Sequence, residues 1–212
     1  VAERLSMFDP AFRYANLAPH GVLQVYEGML APGQSVTLHK YVAYAFTAPF
    51  ADDSAECLRA RARSQLDTAI ALGYPALLAQ QAQVLSSLWA RADLAIDGDA
   101  ATEQALRFNL FHVFQSSSRD SHGTTAAKGL TGEGYEGHYF WDAEVFMLPV
   151  LATLAPELVR AMLTYRHRTL DNARRHAREL NHPRGALYAW RTISGDECSS
   201  YFPSGSAQYH IN

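Results

Sequence analysis

Cysteine is scarce in this chain of 212 residues, which contains only Cys57 and Cys198 and no Cys-x-x-Cys pair. Two cysteines so far apart exclude a disulfide framework and a cysteine-based zinc site. His112, His122 and His138 are the remaining candidates for a metal cluster. We expect no metal there, because His138 lies in a glycine-rich loop and His112 lies among phenylalanines, where a hydrogen-bonded core histidine is the ordinary role.

Charge is also low, with 18 Lys and Arg residues against 21 Asp and Glu residues and a net charge of −3. Without a basic patch, neither nucleic acid nor an anionic membrane surface is an expected partner. No apolar run approaches the length of a membrane span. Residues 1–5 resemble neither a signal peptide nor a translation start, so we expect a cytoplasmic protein and a chain that begins inside a longer one.

The first fifty residues have strand-like patterns. Residues 21–30 and 35–47 are rich in Val, Leu, Tyr and Phe, and the second segment alternates polar and apolar positions. Residues 31–34, Ala-Pro-Gly-Gln, predict a turn between them. An isolated hairpin is marginally stable in water, so these strands are predicted to be the last ones of a larger sheet.

From residue 53 onward the patterns are helical. Asp53 with Glu56 predicts a helix N-terminus, and Gly73 predicts its end. The apolar spacing predicts further helices over residues 75–96, 101–117, 142–154 and 156–180. A loop rich in glycine, serine and proline follows.

Residues 128–149 combine glycines, charged and hydroxyl side chains, and an aromatic run that leads into a helix. Their four glycines give a backbone that can turn sharply and approach a ligand closely; they are Gly129, Gly132, Gly134 and Gly137. Residues 140–142, Phe-Trp-Asp, place a flat apolar ring beside a carboxylate. This pairing suits a sugar, because Trp141 offers area to the C–H face of a pyranose and Asp142 accepts hydrogen bonds from two hydroxyls.

Two other interpretations of this motif are open. Asp142 is also suited to cap the helix that follows, with Trp141 as a core residue beside it. A phosphate-binding loop is disfavoured, because the glycine run lacks the Gly-Lys-Ser/Thr ending and continues into aromatic residues.

Several motifs occur in order along the chain. Four lie at close spacing, at residues 107–115, 127–135, 137–144 and 146–149, and further ones follow at residues 165–166, 184–190, 195–198 and 207–212. Together they resemble the first part of the catalytic domain of glycoside hydrolase family 65, which contains the maltose, trehalose, kojibiose and nigerose phosphorylases and the acid trehalases. The resemblance covers roughly residues 20–212.

The resemblance implies a mainly α fold: a partial (α/α) six-hairpin barrel, preceded by a helical linker and the last strands of a β-sandwich. Laid on this plan, residues 1–50 are the trailing strands of the N-terminal β-sandwich. Residues 53–97 are the helical linker, and residues 100–212 are the first part of the catalytic barrel.

The same resemblance implies an inverting disaccharide phosphorylase, which cleaves an α-glucosyl disaccharide with phosphate to give β-glucose 1-phosphate and a sugar. Its partners are the disaccharide and inorganic phosphate, the latter a co-substrate; no cofactor is implied, and we expect the parent enzyme to be a homodimer. An acid-trehalase-like hydrolase is the enzymatic alternative, and a non-catalytic carbohydrate-binding fragment is the alternative from another class.

By resemblance, Trp141 and Asp142 bind the non-reducing glucosyl unit. The loop over about residues 192–206 aligns with the region that shapes the acceptor sugar site, and Glu197 in this loop is the expected hydroxyl partner. The family's catalytic acid is a Glu in a later motif, which we expect C-terminal to Asn212. None of the chain's other candidate carboxylates takes its place; these are Glu144 and Asp196. The 212 residues alone are therefore expected to be inactive.

Overall fold

The computed structural model describes residues 4–5, 11–18, 21–48, 51–92, 94–199 and 209. The chain divides into two compact units, one formed by Val1–Phe46 with Asp53–Gln83 and the other by Thr47–Asp52 with Val84–Asn212. The described part contains six α-helices and six strands, most of them short, so the prediction of a mainly α fold is confirmed. Within these ranges, no helix combines the length and the apolar character needed to cross a bilayer.

The strands of the first unit form two separate antiparallel pairs. Strand β2 (Ala11–Ala18) pairs with β3 (Gly21–Glu27), and β1 (Arg4–Leu5) pairs with β4 (Leu38–His39). The predicted hairpin between residues 21–30 and 35–47 is wrong. Only two residues separate β2 from β3, a spacing that makes these two strands hairpin neighbours. The assignment of residues 1–50 to a β-sandwich stays a prediction.

Helix α1 (Ala55–Leu72) begins one residue later than the cap signature predicts. The Ser54 hydroxyl accepts the hydrogen bond from Cys57 N–H at 3.2 Å, while the Asp53 carboxylate accepts one from Arg61 at 2.9 Å. Gly73 ends the helix as predicted, with a φ of 78° that favours glycine. Helix α2 (Tyr74–Arg91) follows it directly.

The second unit contains the larger core. Helix α3 (Ala100–Ser116) is capped by Asp99, which accepts a hydrogen bond from Thr102 N–H at 2.9 Å. Helices α4 (Leu148–Leu154), α5 (Pro156–Arg168) and α6 (Leu170–Glu179) follow the glycine-rich loop. Their apolar stripes meet residues of α2 and α3 in one buried cluster, formed by Leu88, Phe114, Ala143, Leu148, Leu151, Ala155, Leu158 and Met162. Packing of these helices into part of an (α/α) barrel stays a prediction.

The single helix predicted over residues 156–180 is interrupted at Thr169. This residue is 1% exposed and has φ −86° and ψ 4°, outside the helical range. Its hydroxyl donates to the Arg166 carbonyl at 2.8 Å, and its side chain packs closely under Gly195. The interruption therefore comes from a side chain that bonds to its own helix terminus and from a distant loop packed over it.

Candidate functional site

The glycine-rich loop between α3 and α4 turns through positions that require glycine. Gly134 and Gly137 have φ angles of 106° and 75°, in the region that L side chains rarely adopt. At Gly132 the need is steric, because a Cβ there would lie 2.5 Å from the Lys128 carbonyl oxygen. The loop thus folds tightly on itself, as the sequence predicts.

This loop ends in strand β5 (Tyr139–Phe140), which forms a short antiparallel ladder with β6 (Arg191–Thr192). The ladder brings the segment after α6 beside residues 139–142. The Trp190 ring consequently lies with its centroid 6.1 Å from that of Trp141 and 6.2 Å from that of Phe140. Sequence reasoning treated Trp190 only as part of a motif and did not predict this proximity.

A cavity of about 490 Å³ opens beside this ladder. Its aromatic walls are Tyr135, Phe140, Phe146 and Trp190, and its charged lining groups in the described part of the chain are Lys128 and Asp142. The other lining residues are small or apolar: Thr125, Ala126, Ala127, Ala143 and Met147. Flat apolar rings and few charges are the lining that a compact polar ligand with one apolar face requires.

Asp142 faces this cavity from the first turn of a helix. Its φ and ψ are −54° and −32°, and its side chain makes no capping hydrogen bond. The amides of Glu144 and Val145 donate instead to the Trp141 carbonyl, at 3.0 and 3.3 Å. The alternative interpretation of Asp142 as a helix cap is therefore wrong, and its carboxylate remains available for a ligand.

Trp141 lies half-buried next to the cavity rather than among the residues that line it. Its ring centroid is 6.4 Å from that of Phe146, with 47° between the planes. Trp141 thus packs against two lining rings, those of Phe146 and Trp190. Its predicted direct contact with a sugar stays a prediction.

Glu197 is held by main-chain groups of the β6 segment and of the loop after it. Oε2 accepts a hydrogen bond from Trp190 N–H at 2.7 Å, and Oε1 accepts from Arg191 N–H at 3.3 Å and from Ser199 N–H at 2.8 Å. The Ser199 hydroxyl also donates to Oε1. Glu197 is not among the cavity-lining residues, and its predicted role as a hydroxyl partner stays a prediction.

Glu144 and Asp196, the other candidate carboxylates, are each engaged by basic side chains. Glu144 accepts two hydrogen bonds from Arg166, at 2.8 and 2.9 Å. Asp196 pairs with Arg175 and accepts from the Asn172 amide at 2.8 Å. Neither carboxylate lines the cavity, and each is paired with an arginine.

Histidines do not form a metal cluster in the part of the chain that the structure describes. No group of three or more His, Cys, Asp or Glu residues there lies close enough to hold an ion. His112 Nδ1 is 2.9 Å from the Gln115 amide nitrogen, and its ring packs edge-on against Phe108. His138 Nδ1 lies 2.8 Å from the Tyr135 carbonyl oxygen.

Comparison with protein families gives two matches that follow each other along the chain. The central catalytic domain of glycosyl hydrolase family 65 matches residues 107–211, and the N-terminal domain of the same family matches residues 1–88. The chain belongs to glycoside hydrolase family 65.

Individual family 65 proteins share substantial identity with the chain. An α,α-trehalose phosphorylase from Thermoanaerobacter brockii is 43% identical over 96% of the chain and 26% of its own length. An α,α-trehalose phosphorylase from Geobacillus stearothermophilus is 57% identical over 63% of the chain and 17% of its own length. The chain therefore spans about a quarter or less of these relatives.

A solved structure from the human microbiome, provisionally named a kojibiose phosphorylase, has a similar fold. It superimposes with a TM-score of 0.63 and 31% identity, over 69% of the chain and 19% of its own length. The catalytic-domain match includes every segment of the candidate site: the glycine-rich loop, the Phe-Trp-Asp run and the segment around Trp190. The predicted acceptor-site loop, residues 192–206, is described only as far as residue 199.

Proposed function

We propose that this chain belongs to an inverting disaccharide phosphorylase and that its cavity binds the glucosyl unit of an α-glucosyl disaccharide. One observation carries the proposal. Asp142 lines a cavity of about 490 Å³ walled by aromatic rings, and its carboxylate forms no capping hydrogen bond. The family membership and the trehalose phosphorylases among its relatives support the same activity.

The cavity suits a single pyranose unit. Its volume lies within the range of about 300–1,000 Å³ that is typical of small-molecule sites. The rings of Trp190 and Phe146 offer flat apolar surface to the C–H face of the sugar, and Asp142 accepts hydrogen bonds from its hydroxyl rim. We assign Trp141 to the same glucosyl site, where it supports both rings.

Glu197 is proposed as a hydroxyl partner on the acceptor side. In the described contacts its Oε2 accepts one amide hydrogen bond, from Trp190, and a carboxylate oxygen can accept two. A sugar hydroxyl would therefore complete its hydrogen bonding. Its test is the KM for the acceptor sugar in the reverse reaction, which Glu197→Gln should raise.

In the proposed reaction, inorganic phosphate is the nucleophile. A phosphate oxygen attacks the anomeric carbon from the face opposite the glycosidic oxygen, and the bond between that carbon and the glycosidic oxygen breaks. A carboxylic acid protonates the leaving oxygen, which departs as the second sugar. We expect this acid to be a Glu C-terminal to Asn212, so the chain's own contribution is to bind and orient the glucosyl unit.

Phosphate dependence is the experiment that tests the proposal. The full-length natural protein is supplied with α,α-trehalose, the substrate named for the two relatives above, with and without inorganic phosphate. We expect one β-glucose 1-phosphate and one glucose per trehalose, and no turnover without phosphate. Glucose release that is independent of phosphate would instead identify a hydrolase, and binding without turnover would identify a carbohydrate-binding protein.

A further inference from the structure

Arg166 of helix α5 donates hydrogen bonds to residues on both sides of the Trp141–Asp142 pair, to the Phe140 carbonyl before it and to the Glu144 carboxylate after it. Its Nε and one terminal nitrogen donate to the two oxygens of Glu144, at 2.8 and 2.9 Å. That same terminal nitrogen donates to the Phe140 carbonyl at 3.2 Å. One guanidinium therefore fixes the residue before Trp141 and the residue two positions after Asp142.

Among the ion pairs between described residues of this unit, the Arg166–Glu144 pair is the most buried. The side chains of Arg166 and Glu144 are 12% and 22% exposed, whereas those of Arg174 and Asp171 are 53% and 90% exposed. Burial by itself lowers the pKa of Arg166, but the hydrogen bonds to Glu144 and the charge interactions with Glu144, Tyr165 and Tyr188 act in the opposite direction, and the net shift of the pKa is upward. A bidentate pair that is largely shielded from water in this way favours one geometry for the two elements it joins.

The segment that Arg166 holds is a π-helical turn, Ala143–Met147. Its widened geometry appears in the hydrogen bond from Leu148 N–H to the Ala143 carbonyl, five residues back. Such turns are uncommon, and they occur often at functional sites. A turn of this kind needs contacts from outside to persist, and the Arg166–Glu144 pair provides them.

One face of this turn lines the cavity, and another carries the residue that pairs with Arg166. Asp142, which directly precedes the turn, and Phe146 within it both line the cavity. Glu144 lies between them in sequence and is not a lining residue; it reaches Arg166 instead. The ion pair with Arg166 and the cavity lining therefore involve the same turn. A rotation of this turn would move Asp142.

We propose that Arg166 and Glu144 are positioning residues of the sugar site, which hold the π-helical turn so that the Asp142 carboxylate faces the cavity. The inference rests on the proposed function of that cavity. It assigns no contact with substrate to either residue. It requires that loss of the pair weakens sugar binding through Asp142.

A double-variant cycle tests this coupling. Glucose binding to the full-length natural protein is measured by titration calorimetry for the wild type, Glu144→Gln, Asp142→Ala and the double variant, with thermal unfolding recorded for each. We expect Glu144→Gln to weaken glucose binding by about 10- to 100-fold, because a displaced Asp142 carboxylate would lose about one charge-assisted hydrogen bond to the sugar. In the Asp142→Ala background the same change should add no further loss, because its effect passes through Asp142.

Arg166→Lys is the second variant, because it keeps the positive charge but cannot make the bidentate bond. It should raise the KM for the disaccharide more than it lowers kcat. Asp171→Asn is the matched control, since it neutralises the exposed carboxylate that pairs with Arg174 at 3.1 Å. Its glucose affinity should equal that of the wild type.

Two results would overturn this inference but leave the proposed function intact. One is unchanged glucose binding in folded Glu144→Gln and Arg166→Lys proteins. The other is that Glu144→Gln weakens glucose binding equally in the wild-type and Asp142→Ala backgrounds. Unchanged binding in Asp142→Ala has a different meaning, because it would remove the proposed function of the cavity together with the inference. The Asp142 variant therefore separates the two failures.

Discussion

At the scale of single residues, the site depends on how Asp142 and Trp190 are held. Asp142 starts a helix whose first amide groups are satisfied by the Trp141 carbonyl, so its carboxylate is not needed as a cap. Trp190 is held by its backbone, through the 2.7 Å hydrogen bond from its N–H to Glu197, while its ring lines the cavity. A carboxylate side chain and a flat aromatic side chain thus both line one cavity.

Removal of either tryptophan at this site should weaken sugar binding. We expect Trp190→Ala to cost about 1–3 kcal/mol of glucose binding free energy, because a stacking face is lost. Trp141→Ala should weaken binding as well, through the lost support of Phe146 and Trp190. Titration calorimetry on the full-length natural protein measures both changes. Trp89→Ala is the control, since Trp89 does not line the cavity, and wild-type affinity in Trp190→Ala would contradict the assignment.

The close approach at Gly132 leads to a second prediction at this scale. In Gly132→Ala the new Cβ would meet the Lys128 carbonyl oxygen at 2.5 Å, and neither main-chain segment can yield without moving the loop. We expect a loss of about 1–3 kcal/mol in unfolding free energy, the usual range for overpacking. Thermal or chemical denaturation measures it.

Gly123→Ala is the matched comparison for this substitution. Its Cβ would lie 2.6 Å from the Tyr139 hydroxyl, which is the end of a side chain and can shift. A smaller loss is expected there. Equal losses at the two glycines would show that the main-chain contact at Gly132 is not the limiting one.

At the scale of elements, the ladder of β5 with β6 assembles the site. These strands contribute only two residues each, yet they place Trp190 beside Trp141. Helix α5 is tied to the chain just after β6 by the Tyr165 hydroxyl, which donates to the Ile193 carbonyl at 2.7 Å. Three sequence-distant segments therefore hold one another around the cavity.

The buried Tyr165 phenol makes this assembly sensitive to alkaline pH. Burial raises its pKa above the ordinary value of 10.0, and the pKa of Tyr139 is raised chiefly by the same cause. The unfolded chain loses these protons near pH 10 while the folded chain retains them. The stability they contribute is therefore complete below pH 10 and is lost as the pH rises above it.

Tyr165→Phe removes one of these titrations. We expect the Tm of the variant to fall less steeply than that of the wild type above pH 10. At neutral pH the variant should lose about 0.5–1.5 kcal/mol of stability with its hydrogen bond. Differential scanning calorimetry from pH 7 to 11 checks both, with Tyr44→Phe as the control because Tyr44 is 83% exposed. Parallel pH profiles for Tyr165→Phe and wild type would contradict the prediction.

The helices were predictable because their signals are local. Apolar spacing predicted α1 through α5 near their observed positions, and Gly73 marked the end of α1. The break at Thr169 was not predictable in this way, because the contact with Gly195 comes from a loop far along the chain. The pairing of β2 with β3 was missed for a related reason, since the turn-like segment at residues 31–34 suggested another hairpin.

The candidate site was likewise predictable only where its signals are local in sequence. Asp142 and the turning glycines could be predicted from residues 128–149, because the chemistry and the conformational freedom lie in one continuous motif. The contact of the Trp190 ring with Trp141 and the hydrogen bonds of Arg166 to Glu144 could not be predicted, because each joins segments that are distant in sequence. Periodicity and composition contain no information on which distant segments meet.

At the scale of the whole molecule, the chain covers only part of the length of its family 65 relatives. Helices of the second unit expose large apolar side chains, among them Phe108 at 61%, Leu163 at 48% and Val150 at 41%. Apolar surface of this kind marks faces that pack against other protein. We therefore propose catalysis only for the full-length natural protein.

Expressed alone, the 212 residues should therefore self-associate. Exposed apolar helix faces bury one another when no other protein covers them. Sedimentation velocity should show oligomers whose proportion rises with concentration, and the isolated chain should not cleave α,α-trehalose. A stable monomer at all concentrations would contradict this prediction.

The central claim is that the cavity beside Asp142 binds the glucosyl unit. A crystal structure of the full-length natural protein with glucose bound tests it most directly. We predict glucose hydroxyls within hydrogen-bonding distance of the Asp142 carboxylate and the sugar ring against Trp190 or Phe146. Glucose bound elsewhere, with Asp142 making no contact to it, would contradict the account.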